Sequence, residues 1–167
     1  KGSTLNNPNS KGAESVSWAD EARRAAFERW LTPLVALHKL QPDTLRSASA
    51  DASFRRYLRV DTTGDSLIVM DAPPPQEDVR PFVKIAGLID KAGLNGPKVL
   101  AGDEAQGFLL LTDLGNDLYL HALAEANAAQ ADHLMRDAIA ALVQWQLQVP
   151  GEALPHYDEA LLRRELQ

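Results

Sequence analysis

The sequence SASADASFRRYLRVDTTGDSLIVMDAPPP, residues 47–75, determines how we interpret the rest of the chain. Phe54–Val60 is rich in aromatic, branched and long side chains, and Leu67–Met70 is a short apolar run. The polar segment between them contains Gly64, which can adopt a positive φ, so the pattern predicts a β-hairpin. Three consecutive prolines follow at 73–75. Proline cannot continue a central strand, so we expect the second strand to end before them.

A loop of small residues, 47–53, leads into this hairpin. Small side chains allow the backbone to approach a ligand closely, and a guanidinium at Arg55 or Arg56 can bind an anion. Downstream, the apolar run Phe108–Leu111 predicts another buried strand, which ends at Thr112-Asp113-Leu114-Gly115. The two stretches together predict a sheet with an anion-binding loop at one end.

The remaining elements follow from periodicity and from cap and turn signals. Before the hairpin we predict a helix that starts with a capping box at Ser17–Asp20, and a first strand at Thr44–Ser47. Pro33 predicts a kink or a new helix start. After the hairpin we predict a helix over Gln76–Ala92 with Gly93 as its C-cap, and a strand from Pro97. Only helices are predicted after Gly115: Leu118–Glu125, a long helix capped by Asn127, and one that starts near Asp158.

Composition restricts the function. The chain has 167 residues, no cysteine and a formal net charge of -6. The acidic balance argues against non-specific nucleic-acid binding, and the lack of cysteine excludes disulfides and thiolate chemistry. No apolar run reaches membrane-spanning length, so we expect no membrane partner and a cytoplasmic location. Residues 1–15 are polar and have the composition of a flexible arm.

Four segments resemble the aminoglycoside phosphotransferase family, whose members have a protein-kinase-like fold: Ser49–Val60, Val69–Ile89, Gly107–Gly115 and Tyr157–Leu166. The resemblance implies an α+β fold. Residues 16–114 would form a kinase-like N-terminal lobe, with a five-stranded antiparallel sheet and a flanking helix. Residues 115–167 would form the helical start of a truncated C-terminal lobe.

The resemblance also implies an enzyme that uses ATP and Mg²⁺. The string MDAPPPQED, residues 70–78, is similar to members that phosphorylate the C1 hydroxyl of N-acetylmuramate and N-acetylglucosamine in cell-wall recycling. Two alternatives remain open: an aminoglycoside, choline-like or homoserine-like acceptor, or a non-catalytic protein-interaction module. The family keeps its catalytic and metal-binding residues in the C-terminal lobe. We therefore expect no catalytic residue and no metal ligand in this chain, and no turnover by the chain alone.

The resemblance assigns nucleotide contacts to two places. Ser53 and Arg55 match a Ser-x-Arg pattern of the family and would lie against the phosphates, although the loop has no glycine. Residues 112–114 would form the hinge segment, where the Thr112 carbonyl and the Leu114 amide pair with adenine while Leu110 or Leu111 contacts the ring. The alternatives are that Arg55 and Arg59 are solvated strand residues and that the hinge segment is an ordinary turn.

One position departs from the family. Kinase-like folds place a lysine or arginine on the third strand, paired with a glutamate on the next helix. Here the strand ends in Asp71, and Lys84 lies on the predicted helix. The sequence therefore leaves two interpretations: an ion pair of inverted polarity between Asp71 and Lys84, or a solvated Lys84 and an Asp71 that caps the proline-rich turn.

Overall fold

The computed structural model describes residues 16–18, 20–50 and 54–166, without the side chains of residues 49 and 50. The helices are Glu21–His38 (α1), Arg80–Lys91 (α2), Tyr119–Glu125 (α3), Ala128–Gln148 (α4) and Glu159–Glu165 (α5). The strands are Gln41–Ala50 (β1), Arg56–Asp61 (β2), Ser66–Asp71 (β3), Val99–Asp103 (β4) and Phe108–Thr112 (β5). The predicted α+β class is confirmed.

The strands form one antiparallel sheet in the order β1-β2-β3-β5-β4. The hairpin predicted from residues 54–70 is present: Tyr57 pairs with Met70, and Val60 pairs with Leu67. Its turn is closed by the Thr62 N–H, which donates to the Asp65 carbonyl over 2.7 Å. The prediction of a five-stranded antiparallel sheet is therefore confirmed.

Helix α1 packs on one side of the sheet, which we call the α1 face. Because side chains alternate along a strand, Leu58, Val60, Phe108 and Leu110 all point to this face, where they meet Phe27 of α1. Trp30 and Phe108 stack with ring centroids 5.2 Å apart. Aromatic packing of this kind buries much apolar area and holds α1 against the sheet.

The opposite side, the α2 face, carries the alternate side chains. Met70, Leu109 and Leu111 form its core with Val79, and Phe82 and Val83 of α2 pack against them. Gly107 permits the tight turn into β5, since its φ is +71° and an added Cβ would lie 1.9 Å from the Ala72 carbonyl oxygen. The sheet is therefore covered on both faces, by α1 and by the first turns of α2.

The described chain divides into two compact units, one with the residues up to Lys84 plus Pro97–Leu114, the other with Ile85–Gly96 plus the residues from Gly115 onward. In the second unit, Gln144 of α4 donates to the Ala92 carbonyl over 2.6 Å. The predicted cap of α4 is confirmed, because the Asn127 side chain accepts from the Gln130 N–H and Gln130 bonds back. Asp158 caps α5 by accepting from the Leu161 N–H.

Several predicted boundaries are wrong. Strand β1 spans Gln41–Ala50 rather than Thr44–Ser47, so residues 47–50, which the sequence places in the loop, pair with β2 instead. Helix α1 starts at Glu21 rather than at Ser17, because Asp20 is its N-cap and accepts from the Ala22 N–H over 2.9 Å. Pro33 lies within α1, which continues past it to His38. Helix α2 starts at Arg80 rather than Gln76, since residues 74–76 form a turn in which the Glu77 N–H donates to the Pro73 carbonyl.

Candidate functional site

Strand β2 presents its arginines to both faces of the sheet. Arg56 lies on the α1 face, because it alternates with Tyr57, which packs on the α2 face. Arg59 lies on the α2 face, between Leu58 and Val60 of the opposite core. The two arginines of β2 therefore lie on opposite faces of the sheet and have different surroundings.

On the α1 face, Asp71 is the centre of a charged cluster. Its side chain is almost completely buried, and each of its carboxylate oxygens accepts two hydrogen bonds, from Arg23 at 3.0 and 2.6 Å and from Arg56 at 3.0 and 2.5 Å. The Arg23 guanidinium also lies 3.8 Å from the centre of the Phe108 ring. Buried carboxylates need such compensation, so this cluster connects α1, β2 and β3.

On the α2 face, Arg55 pairs with Glu77. The Arg55 Nε donates to Glu77 Oε2 over 2.7 Å, and the two side chains are 28% and 13% exposed. Burial disfavours the charge of Arg55, but the hydrogen bond and the negative charge of Glu77 outweigh it and raise the pKa of the guanidinium. Arg55 is therefore a fixed cation directly before the first residue of β2, rather than a solvated strand residue.

At the other end of β2, Arg59 is paired with Asp113. Arg59 donates from Nε and from its terminal nitrogen to the two Asp113 oxygens, over 2.5 and 3.0 Å. The Ser66 hydroxyl donates to the same carboxylate over 2.6 Å. Both partners of the ion pair are largely buried, at 15% and 9% exposure. The alternative that Arg59 is solvated is therefore wrong.

Thr112 and Leu114 flank Asp113 in the hinge segment. The Thr112 N–H donates to the Lys98 carbonyl over 3.0 Å, and the Thr112 hydroxyl accepts from the Lys98 N–H over 2.9 Å. Leu114 lies beyond the end of β5 and its side chain is exposed. Across the residues that the structure describes, the Leu114 N–H has no hydrogen-bond acceptor. A backbone donor is thus available there to a ligand.

The other predicted site residues are placed as follows. Ser53 lies outside the described residues. Leu110 and Leu111 are both buried, at 0% and 2% exposure, and they differ in the face they occupy: Leu110 lies in the core of the α1 face and Leu111 in that of the α2 face. The Asp71–Lys84 ion pair is not formed within the described residues, because Asp71 bonds to two arginines while Lys84 is exposed.

Sequence reasoning missed Glu77 and Asp113 as ion-pair partners. Glu77 is placed by the sequence in the predicted helix 76–92, and Asp113 in the hinge segment or, as the alternative, in an ordinary turn. Their partners are 22 and 54 residues away in the sequence, and no local pattern specifies such a pairing. The described part of the chain holds no group of three or more His, Asp or Glu residues that fits a metal ion. No helix within the same residues is long and apolar enough to cross a membrane.

Comparison with known proteins identifies the family to which the chain is similar. The model of the phosphotransferase enzyme family matches residues 44–167. The chain is 47% identical over 156 residues to an N-acetylmuramate/N-acetylglucosamine kinase of Pseudomonas aeruginosa, covering 89% of this chain and 45% of that protein. Kinases of the same name are 50% identical over 124 residues in Pseudomonas putida, covering 74% of this chain and 36% of the relative. In Neisseria meningitidis the identity is 40% over 146 residues, with 86% and 42% covered. The chain thus spans less than half the length of these relatives.

Proposed function

Because the chain belongs to the phosphotransferase enzyme family, we propose that it supplies the nucleotide-binding portion of a small-molecule kinase. This kinase transfers the γ-phosphate of ATP to a sugar hydroxyl, the C1 hydroxyl of N-acetylmuramate or N-acetylglucosamine, in the cytoplasm and as a step of cell-wall recycling. The names of the relatives support the choice of acceptor. Mg²⁺ bound with ATP would neutralise phosphate charge.

One observation carries the proposal: a fixed cation, Arg55, lies directly before β2, and the hinge segment is held at the other end of the same strand. Arg55 pairs with Glu77, and Arg59 contacts Asp113 of the hinge segment. The two arginines are four residues apart, which corresponds to about 13 Å along a strand. Bound ATP can span such a length between its base and its phosphates.

The proposal gives each residue a role. Arg55, held by Glu77, contacts the phosphates with charge-assisted hydrogen bonds, and Ser53 lies near the same groups. The Leu114 N–H and the Thr112 carbonyl pair with the edge of adenine. Of the two leucines predicted near the ring, Leu111 is the nearer one, because it shares the α2 face with Arg59 whereas Leu110 points to the α1 face. These residues bind and orient ATP, and positioning of this kind provides much of the rate of phosphoryl transfer.

The proposal is tested in the full-length protein that contains these residues. ADP release with Mg-ATP is followed with N-acetylmuramate, N-acetylglucosamine, an aminoglycoside, choline and homoserine as acceptors. We expect turnover with the two amino sugars. Turnover with only one of the other acceptors would contradict the substrate assignment, and the absence of any nucleotide binding would contradict the kinase itself.

Two further measurements test the roles. Arg55→Met should lower kcat/KM for ATP by about tenfold to a hundredfold, since a hydrogen bond between charged groups is lost. Arg24→Met is the matched control, because Arg24 lies exposed on α1 and pairs with Glu28. The 167-residue chain alone should show no turnover. A rate of about 1 per second or more from that chain would contradict the assignment of catalysis to residues elsewhere.

A further inference from the structure

Thr112 is the last residue of β5, and Leu114 lies beyond the strand without a partner in the described sheet. Asp113, between them, is nevertheless tightly held. Asp113 is fixed by a bidentate pair with Arg59 of β2 and by the hydroxyl of Ser66 of β3. A bidentate pair defines both the position and the orientation of the carboxylate. The pair is also largely buried, so it is screened less than a surface ion pair.

We propose that Arg59, Asp113 and Ser66 form a clamp that positions the Leu114 N–H for adenine. This inference rests on the proposed function. Leu114 is joined directly to Asp113, and only a few soft backbone dihedrals separate the clamped side chain from the Leu114 amide. A held segment loses less conformational freedom when a ligand binds than a mobile one does. The clamp residues are therefore positioning residues for nucleotide binding.

The clamp also determines which base is accepted. A backbone N–H at Leu114 needs an acceptor, and N1 of adenine is one. In a 6-oxopurine such as hypoxanthine, N1 carries a hydrogen and opposes another donor. A ligand that covers this N–H without accepting its hydrogen bond removes the donor from water and is therefore disfavoured. The clamp therefore favours ATP over inosine triphosphate, provided that it holds the donor in place.

The experiment measures dissociation constants in the full-length protein by calorimetry for ATP, inosine triphosphate and inorganic tripolyphosphate. The wild type should prefer ATP over inosine triphosphate by about tenfold or more. Arg59→Met should weaken ATP binding about tenfold, bring the preference close to one and leave tripolyphosphate binding unchanged. Arg59→Lys, which retains charge without a bidentate fork, should restore part of the preference.

The matched control is Arg46→Met. Arg46 makes a similar ion pair from β1 to Asp61 of β2, over 2.8 Å, without contacting the hinge segment. Its loss should leave the preference for ATP intact. Circular dichroism spectra confirm that each variant is folded.

The outcomes separate this inference from the function on which it rests. If Leu114→Pro abolishes the preference while Arg59→Met retains it, the hinge stands and the clamp is overturned. If Arg59→Met weakens all three ligands equally, its role is general stability, and the clamp is again overturned. If the wild type binds ATP and inosine triphosphate equally, adenine is not read at Leu114, and both the hinge assignment and the clamp fail.

Discussion

Replacement of Asp71 by alanine tests whether the charged cluster on the α1 face stabilises the fold. The carboxylate accepts four hydrogen bonds from Arg23 and Arg56, and it is the buried charged residue of the described core. Its removal would leave two guanidiniums next to the sheet without a counter-charge. The variant therefore measures mainly the energy of uncompensated charge, together with that of the small cavity that the carboxylate leaves.

The expected loss follows from the burial of the partners. Removing one member of a buried ion pair destabilises a protein by about 3–5 kcal/mol. The Arg23 and Arg56 side chains retain 18% and 34% exposure, so water solvates part of the released charge. We therefore expect a loss at the lower end, about 3 kcal/mol. With a urea m-value of about 2 kcal/mol per molar, the midpoint falls by about 1.5 M.

The assay is urea unfolding followed by tryptophan fluorescence in a Trp145→Phe background. Trp18 and Trp30 then report on the unit that contains the sheet, where Arg56 lies 4.3 Å from the Trp18 ring. Asp61→Ala is the control, because Asp61 is 39% exposed and its pair with Arg46 should contribute only about 0.2–1 kcal/mol.

A triple variant completes the test. Asp71→Leu combined with Arg23→Met and Arg56→Met removes the buried charges together, so it should regain part of the lost stability. An Asp71→Ala protein within about 1 kcal/mol of the wild type would refute the reasoning. A triple variant as unstable as Asp71→Ala would show that packing, and not unpaired charge, determines the effect.

Three further predictions concern turns and strand ends. Gly107→Ala should destabilise the protein by at least about 2 kcal/mol, because the added Cβ would lie 1.9 Å from the Ala72 carbonyl oxygen. Gly87→Ala in α2 has open space around it and should stabilise the protein by about 0.5–1 kcal/mol. Equal urea midpoints for the two variants would contradict this. Thr112→Ala should cost about 1 kcal/mol and speed hydrogen exchange at the Lys98 amide, and unchanged exchange would show that the hydroxyl does not hold it. The Gln106 side chain and backbone N–H donate to Asp103 and lower the pKa of that carboxyl. The stability that the ionised carboxyl contributes is therefore present above about pH 4 and is lost as the pH falls further. Asp103→Asn should reduce the fall in melting temperature between about pH 4 and pH 3, and parallel curves for the two proteins would contradict the assignment.

Much of the fold could be predicted because its signals are local. The hairpin follows from two strand-forming runs separated by a polar turn, and the ends of its strands lie within two residues of the prediction. Gly93 follows α2 with a φ of +71°, as expected of a C-cap glycine, and Asn127 caps α4. Each of these features depends on residues only a few positions apart.

The start of α2 was mispredicted for a physical reason. The acidic residues after the prolines looked like the first turn of a helix, where the macrodipole favours them. In the structure Glu77 pairs with Arg55 instead, and of these acidic residues Asp78 lies at the actual helix start, where its carboxylate accepts from the Arg80 N–H. A side chain whose partner lies 22 residues away cannot be assigned from its neighbours alone.

The adjacent residues Arg55 and Arg56 show how strand register determines the partner of a side chain in this sheet. They have the same chemistry, yet one pairs with Glu77 on the α2 face while the other binds Asp71 and contacts Trp18 on the α1 face. The side-chain period of a strand is two, so a shift of one residue in the pairing of β2 with β3 would exchange their environments. Leu58 and Val60 oppose this shift, because it would remove both side chains from the core around Phe27 and turn Arg59 towards that core. The apolar pattern of β2 therefore decides which arginine pairs with Glu77 and which one binds Asp71 together with Arg23 of α1.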